Sequence, residues 1–393
     1  MLYARLRIKN MKRSFLFLTS LFIISSCYSQ ELSEKRKILH EIDSIRTFFN
    51  IPAIAFGVVS DDSVLLQEAL GVRQINTNDS VTINDKFHIG SNAKALTSFI
   101  AGNLVDNEII SWDTKFFELF PELKTTSKPG YYDVELKDLL SHRAYINQFK
   151  GGEQWGILEQ FYELSDSESK SFYNFSKFLL TLEPLKFDST ESYKYSNAGY
   201  LLAALMLEKV SNKTFEQLVD ELNQDLKIDF KIGWPRNHGK CQPTGHVIPK
   251  ELGIGSEENL VIMPDSIYKD WDLFNAFQYY CRPAGDICVS ISDYLKFIQL
   301  NLAGLNGQDN YLRSETYSYI FTGEKEYAMG WGNWLENGHQ YHDHSGTLST
   351  FYSYSFIVPE FNVGIVIMIN SGNGRSIGGL YTVKEYLEKK FAL

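Results

Sequence analysis

The sequence predicts an α/β (α+β) protein: an antiparallel sheet built from both termini, flanked by helices, with a mainly helical region inserted between its halves. Short apolar or alternating runs, the signature of strands, occur at 54–60 and 64–70 and again at 327–335, 340–344, 351–358 and 363–369. The sequence between them carries helical periodicity instead. A two-stranded hairpin cannot bury its own face, so the N-terminal pair must join the C-terminal strands.

Taken in order, residues 1–29 read as an export signal: Lys12 and Arg13, the apolar run Phe15–Ile24, then Ser25-Ser-Cys-Tyr-Ser-Gln. The apolar run is short for a membrane span. Cleavage after Ser29 is one processing route. Lipid attachment at Cys27 is the other, because Ile24-Ser-Ser-Cys27 resembles a bacterial lipobox. Either route predicts an exported protein, periplasmic or lipid-anchored to the cell envelope. From Glu31 to Asn50 a helix is expected, with Leu39, Ile42, Ile45 and Phe48 or Phe49 on one stripe. Asp61-Asp62 marks the turn between the first two strands. A helix follows Gly90 over Ala93–Val105, and further helices are expected at Leu136–Leu140, Phe175–Leu182, Ala198–Val210, Phe215–Leu226 and Asp293–Leu302. Lys227–Tyr268 reads as a long connection rich in Gly, Pro and aromatics, and a helix at Ile377–Phe391 closes the chain. The expected organisation is one catalytic domain over 31–393, its sheet from 51–90 and 325–370 and its helical region over 91–315.

Composition narrows the class. The 27 Phe, 23 Tyr and 6 Trp predict a packed globular core rather than disorder. A net charge of −10, with no basic block beyond the first residues, argues against a nucleic-acid partner. Processing consumes Cys27, leaving Cys241, Cys281 and Cys288, an odd number that makes no disulfide scaffold.

The chemistry begins at Ser91 and Lys94. Residues three apart at a helix start share a face, so an amine can reach the hydroxyl, and a serine needs such a partner to become a nucleophile. The same spacing recurs at Ser167 and Lys170, in a charged stretch that reads as a solvated loop. A second element is Tyr195-Ser-Asn197. A phenol near a Lys ammonium loses its proton more easily and can serve as general base toward Ser91 and as acid toward a leaving group. Asn197 offers a donor and an acceptor to a substrate amide. A competing Tyr-x-Asn stands at Tyr145–Asn147. The third element is His344-Ser-Gly346-Thr347. Gly346 lets a substrate lie against a strand edge, and the Thr347 N–H can form half of an oxyanion hole with the N–H of Ser91.

Ser91-x-x-Lys94, Tyr195-x-Asn197 and His344-x-Gly346, in this order, resemble the serine β-lactamase and penicillin-binding-protein superfamily, in its branch of class C β-lactamases, D-Ala-D-Ala carboxypeptidases and esterases. Asp85-Lys-Phe-His-Ile-Gly-Ser, Leu139-Leu-Ser-His142, Pro283-Ala-Gly285 and Tyr327-Ala-Met-Gly-Trp331 extend the likeness over nearly the whole mature chain. The resemblance implies Ser91 as nucleophile, Lys94 as its proton partner, Tyr195 as acid/base, Asn197, His344 and Gly346 on the substrate, and the Ser91 and Thr347 amides as oxyanion hole. It implies a small-molecule or peptide substrate of cell-wall type and no cofactor. Membrane contact is expected only through a lipid at Cys27. Two departures stand out. Arg143-Ala144-Tyr145 replaces a usual Ser-Gly, and Thr347-Leu-Ser-Thr350 replaces a Gly-rich segment. His344 stands where true β-lactamases carry Lys, a fixed cation; a mostly neutral His predicts weak β-lactam turnover and better use of esters or small peptides.

The expected function is an exported serine hydrolase acting through an acyl-enzyme on an ester, amide or D-amino-acid peptide. One alternative is a non-catalytic binding protein for cell-wall peptides on the same fold. Another is a metal hydrolase using His339, His342 and His344, two of which share a strand face.

Overall fold

The computed structural model describes residues 32–164, 171–186, 190–253, 255–256, 258–264, 272–348, 350–391 and 393. The export signal at 1–29, Cys27 and the second Ser-x-x-Lys at Ser167 and Lys170 lie outside them.

The described residues form the strands β1 (Ala53–Val59), β2 (Val64–Gly71), β3 (Lys86–His88), β4 (Lys231–Ile232), β5 (His246–Val247), β6 (Val261–Ile262), β7 (Ile287–Ser290), β8 (Gly332–Glu336), β9 (His339–Thr347), β10 (Tyr352–Val358) and β11 (Val363–Ile369). The main sheet has six strands in the order β2-β1-β11-β10-β9-β8, every pair antiparallel. Both ends of the chain meet at its centre, where Ile54 opposes Ile369 and Val58 opposes Ile365.

β1 and β11 are apolar throughout because both of their faces are covered. Successive side chains point to opposite sides. Ile54, Phe56 and Val58 join Ile38, Ile42, Leu380, Val383 and Leu387 of the terminal helices, 32–48 and Gly374–Lys390. Ala53, Ala55 and Val59 face the other core, where the helix Ile291–Leu305 lies on the sheet. Gly57 makes room there: an added Cβ would sit 2.3 Å from Leu295 Cδ1.

The structure corrects several boundaries. β3 is not part of the main sheet. It pairs with β7, which pairs with β4, in a separate three-stranded sheet that carries the chain to Ser91. The strand expected over 327–335 begins only at Gly332. Before it the chain turns, with Ala328 N–H on Trp331 O and Gly330 at φ +82°, because Gly330 lies against the backbone of Lys94 and Ala95. The connection 227–268 holds three short strands rather than none. Two-residue strands give no periodicity to read. The helix Ile291–Leu305 falls in the expected helical region yet packs on the main sheet. No helix among the described residues is long and apolar enough to cross a membrane.

Candidate active site

Ser91 is delivered by a chain of local constraints. β3 ends at His88, and Gly90 turns the backbone at φ +51°, a conformation that costs a residue with a Cβ. Ser91 then sits in the single turn Gly90–Asn92, ahead of the helix Ala93–Asp106. Beneath the turn, buried His88 accepts the Gly90 N–H at Nδ1 (3.2 Å), so its Nε2–H faces Asp286 Oδ1 at 3.3 Å. Asn92 donates to Ser353 Oγ on β10 and ties the turn to the sheet.

Lys94 is fully buried one helical turn on. Its Nζ lies 3.3 Å from Ser91 Oγ, 2.8 Å from Asn197 Oδ1 and 2.7 Å from the Ala284 carbonyl. Burial lowers its pKa from the ordinary lysine value to about 7, assisted by the positive charge of Lys150. The three acceptors pull the other way by holding the ammonium. The amine is therefore close to the balance between its charged and neutral forms at neutral pH.

Asn197 opens the helix Asn197–Ser211, capped by Ser196, whose hydroxyl accepts the Gly199 N–H. The Asn197 side chain also donates to Phe149 O, which fixes its carbonyl oxygen toward Lys94. Tyr195 lies beside Ser91, and the Lys94 ammonium stands 4.6 Å from the centre of its ring. The expectation that Lys94 makes this phenol more acidic is reversed. Burial raises the Tyr195 pKa far above its ordinary value, more than the Ser91 contact lowers it, so the resting phenol keeps its proton.

β9 forms the opposite wall. A Cβ added at Gly346 would lie 1.9 Å from Ile89 O and 2.7 Å from Ser91 N; one added at Gly90 would lie 2.3 Å from Thr347 N. The backbones bearing the Ser91 and Thr347 amides are thus in direct contact. His344 points to the same side, its ring 6.3 Å from that of Tyr195. Its Nδ1 is 2.6 Å from Ser345 O, a carbonyl that only accepts, so Nδ1 carries the proton and Nε2 accepts from Tyr327 O–H at 3.0 Å. Burial, then the charge of Lys94, lowers its pKa to about 3. The imidazole is neutral.

His142 completes the floor among the rings of Tyr195 and Tyr327, 4.3 and 4.5 Å away. It accepts the Ser196 N–H at Nδ1, and its buried Nε2 has no hydrogen-bond partner among the described residues. Where the related pattern has Gly, Tyr145 takes left-handed backbone at φ +51°. Asn147 of the competing Tyr-x-Asn caps its own loop, accepting from Phe149 N–H at 2.8 Å.

The three histidines of the metal reading do not converge. His339 pairs with Glu360, His342 with Asn333 at 2.6 Å, and His344 with Tyr327. Among the described residues no three His, Cys, Asp or Glu side chains form a ligand group. Cys281 and Cys288 are buried free thiols, and Cys241 is exposed and free.

The sequence singles out Ser91, Lys94, Tyr195, Asn197, His344 and Gly346, and the fold brings all six together around one cleft. Sequence reasoning missed the Ala284 carbonyl on Lys94, the His88–Asp286 pair under Gly90, and Tyr327 on His344. Ala284 and Tyr327 lie in stretches whose pattern is visible in the sequence; nothing in the sequence marks His88 and Asp286 as partners.

A sheet from both termini, with this cleft between it and the helical region, defines a β-lactamase-type fold. The chain belongs to the Beta-lactamase family, whose model matches residues 43–382. Among curated relatives it is 22% identical to Unguisins hydrolase ungD of Aspergillus violaceofuscus over 90% of this chain and 64% of that one. It is 21% identical to Protein flp of Staphylococcus aureus over 82% of this chain and 60% of that one. It thus spans less than two thirds of the length of either relative. Among solved structures it is similar to an octameric penicillin-binding protein homologue from Pyrococcus abyssi (TM-score 0.69, 20% identity, 89% of this chain and 77% of that one). It is also similar to the D-alanine carboxypeptidase AmpC from Burkholderia cenocepacia (TM-score 0.65, 17% identity, 90% and 99%).

Proposed function

We propose that this protein is a serine hydrolase that works through an acyl-enzyme on an ester, amide or D-amino-acid peptide. The observation that carries the reading is the position of Lys94 Nζ, buried and held between Ser91 Oγ, Asn197 Oδ1 and Ala284 O. A buried amine near pKa 7 is a competent base at neutral pH, and it faces the hydroxyl it would deprotonate.

In this reading neutral Lys94 takes the Ser91 proton as Oγ attacks the carbonyl carbon. The Ser91 and Thr347 N–H groups receive the oxyanion. Tyr195, which keeps its proton at rest, is a donor to the leaving group as the tetrahedral intermediate collapses. Water then attacks the acyl-enzyme and gives a proton to the Tyr195 phenolate, and as the acid product leaves, the Lys94 ammonium returns its proton to Ser91 Oγ. His344, being neutral, supplies no fixed cation for a β-lactam carboxylate, which favours esters and small peptides over β-lactams. Export to the periplasm or cell envelope is part of the proposal and rests on the pattern at 12–29.

The test is the intact mass of the protein after incubation with a fluorophosphonate and, separately, with a penicillin. A Ser91-dependent adduct with either, absent in Ser91→Ala, supports the reading. No adduct with either reagent turns it toward a protein that only binds its ligand.

A further inference from the structure

We propose that Lys150 is the cation that recognises an anionic group, of carboxylate type, on the substrate; this deepens the Ser91 reading by naming a charge class for its substrate.

Lys150 Nζ stands 5.0 Å from the centre of the Tyr195 ring, the ring that also meets Lys94. Its charge is felt at Lys94 and at His142, so it projects into the catalytic end of the cleft. Beside it opens a cavity of about 430 Å³ lined by Gln148, Lys150, Ser192, Lys194, Tyr195 and Glu326, among others. That volume accommodates part of a small ligand.

The other cations around the site are already engaged. Lys94 is surrounded by three protein acceptors. Arg143 pairs with Glu324 and donates to the carbonyls of Ser141, Tyr327 and Lys325. Lys194 is paired with Glu191. His344 is neutral and its Nε2 is occupied by Tyr327. Lys150 alone of these has no carboxylate and no hydrogen-bond acceptor among the described residues, although Glu191 and Glu326 line the same cavity. Glu326 instead accepts the Ser192 hydroxyl.

A half-buried ammonium that repels its neighbour Lys94 is unfavourable unless something anionic joins it. A carboxylate placed against Lys150 relieves that repulsion and gains a charge-assisted hydrogen bond in a partly desolvated cleft. The cation thus comes from the loop that precedes the helix Glu153–Leu164, and not from position 344.

The experiment measures equilibrium binding, so it does not depend on turnover. In a Ser91→Ala background, calorimetry compares two matched pairs that differ only in charge: mono-p-nitrophenyl adipate with its methyl ester, and 4-carboxyphenyl butyrate with its methyl ester. The first pair places the carboxylate on the acyl side and the second on the leaving side. The expected result is that at least one pair favours the charged member, and that Lys150→Gln lowers this Kd ratio about tenfold, the scale of one hydrogen bond to a charged group. Lys150→Arg retains the preference and Lys150→Glu inverts it. Ratios that are the same in all four proteins overturn the proposal. Failure of the Ser91 reading is seen separately, as a wild-type protein that takes no acyl or phosphonyl adduct while its Lys150-dependent ratio persists.

Discussion

Lys94 Nζ lies 2.8 Å from Asn197 Oδ1, although 103 positions separate the two residues in the chain. The contact joins the helix that begins behind Ser91 to the helix that begins behind Tyr195. Asn197 is a neutral acceptor. It orients the amine without adding the negative charge that would lock it as an ammonium.

Exchanging that amide for a carboxylate tests the balance. Asn197→Asp is nearly isosteric and places an anion beside Lys94, which raises the lysine pKa by roughly 1–3 units. The acylation rate at pH 7 should fall about tenfold or more, and recover as the pH is raised. Fluorophosphonate labelling followed across pH checks this. An unchanged rate at pH 7 would mean that Lys94 need not be neutral.

Crowding at the Ser91 turn is open to a second test. Gly346→Ala puts a methyl 1.9 Å from Ile89 O, and Gly90→Ala one 2.3 Å from Thr347 N, both against backbone that cannot rotate away. Each should cost about 1–3 kcal/mol of stability, the usual scale of overpacking. Each should also suppress Ser91 labelling by moving the two amides apart. Thermal melting and labelling together check it; either variant melting and reacting like wild type would show that the two backbones have room to spare.

Tyr327→Phe removes the O–H that satisfies His344 Nε2. A buried acceptor left alone costs about 1–3 kcal/mol. The variant should unfold at a correspondingly lower denaturant concentration, and His344→Gln combined with it should be less destabilising than the two losses added. Strict additivity in that double-mutant cycle would count against the Tyr327–His344 bond.

Acid sensitivity follows from the buried imidazoles. His246 and His342 titrate near 4 and His344 near 3, each lowered first by burial, and His142 well below 6.5. Between pH 6.5 and these values the unfolded chain binds protons that the folded chain refuses. Stability therefore rises with pH across that window and is lost as pH falls through it, by about 1.4 kcal/mol per unit for each such histidine. Denaturant melts at pH 7, 6 and 5 should show the decline, and His342→Gln should make it shallower by one histidine's share. A flat profile would show that these rings are protonated in the fold.

Much of this was legible in the sequence because it rests on local periodicity. The strands at 53–71 and 339–369 and the helix Phe215–Leu226 show their apolar spacing directly, and the three short words name residues that the fold brings together. What was not legible depends on contacts far apart in the chain. β3 resembles a main-sheet strand until β7, some two hundred residues later, claims it. Gly330 makes a turn of an apparent strand because Lys94 lies beneath it. The protonation of Tyr195 is not legible for the same reason: the sequence shows a nearby lysine, whereas the degree of burial, which raises the pKa, belongs to the tertiary structure. Nothing in the sequence sets Lys150 apart from the other lysines.

The central claim is that Lys94, as a neutral amine, activates Ser91. Its most direct test is the rate of Ser91 adduct formation with a fluorophosphonate, measured by intact mass from pH 5 to 9 for wild type, Ser91→Ala and Lys94→Met. The account predicts a wild-type rate that rises through about pH 7, no adduct in Ser91→Ala, and a loss of about a hundredfold or more in Lys94→Met without a pH-dependent limb. A Lys94→Met protein that acylates at the wild-type rate, or an adduct that persists without Ser91, would contradict it.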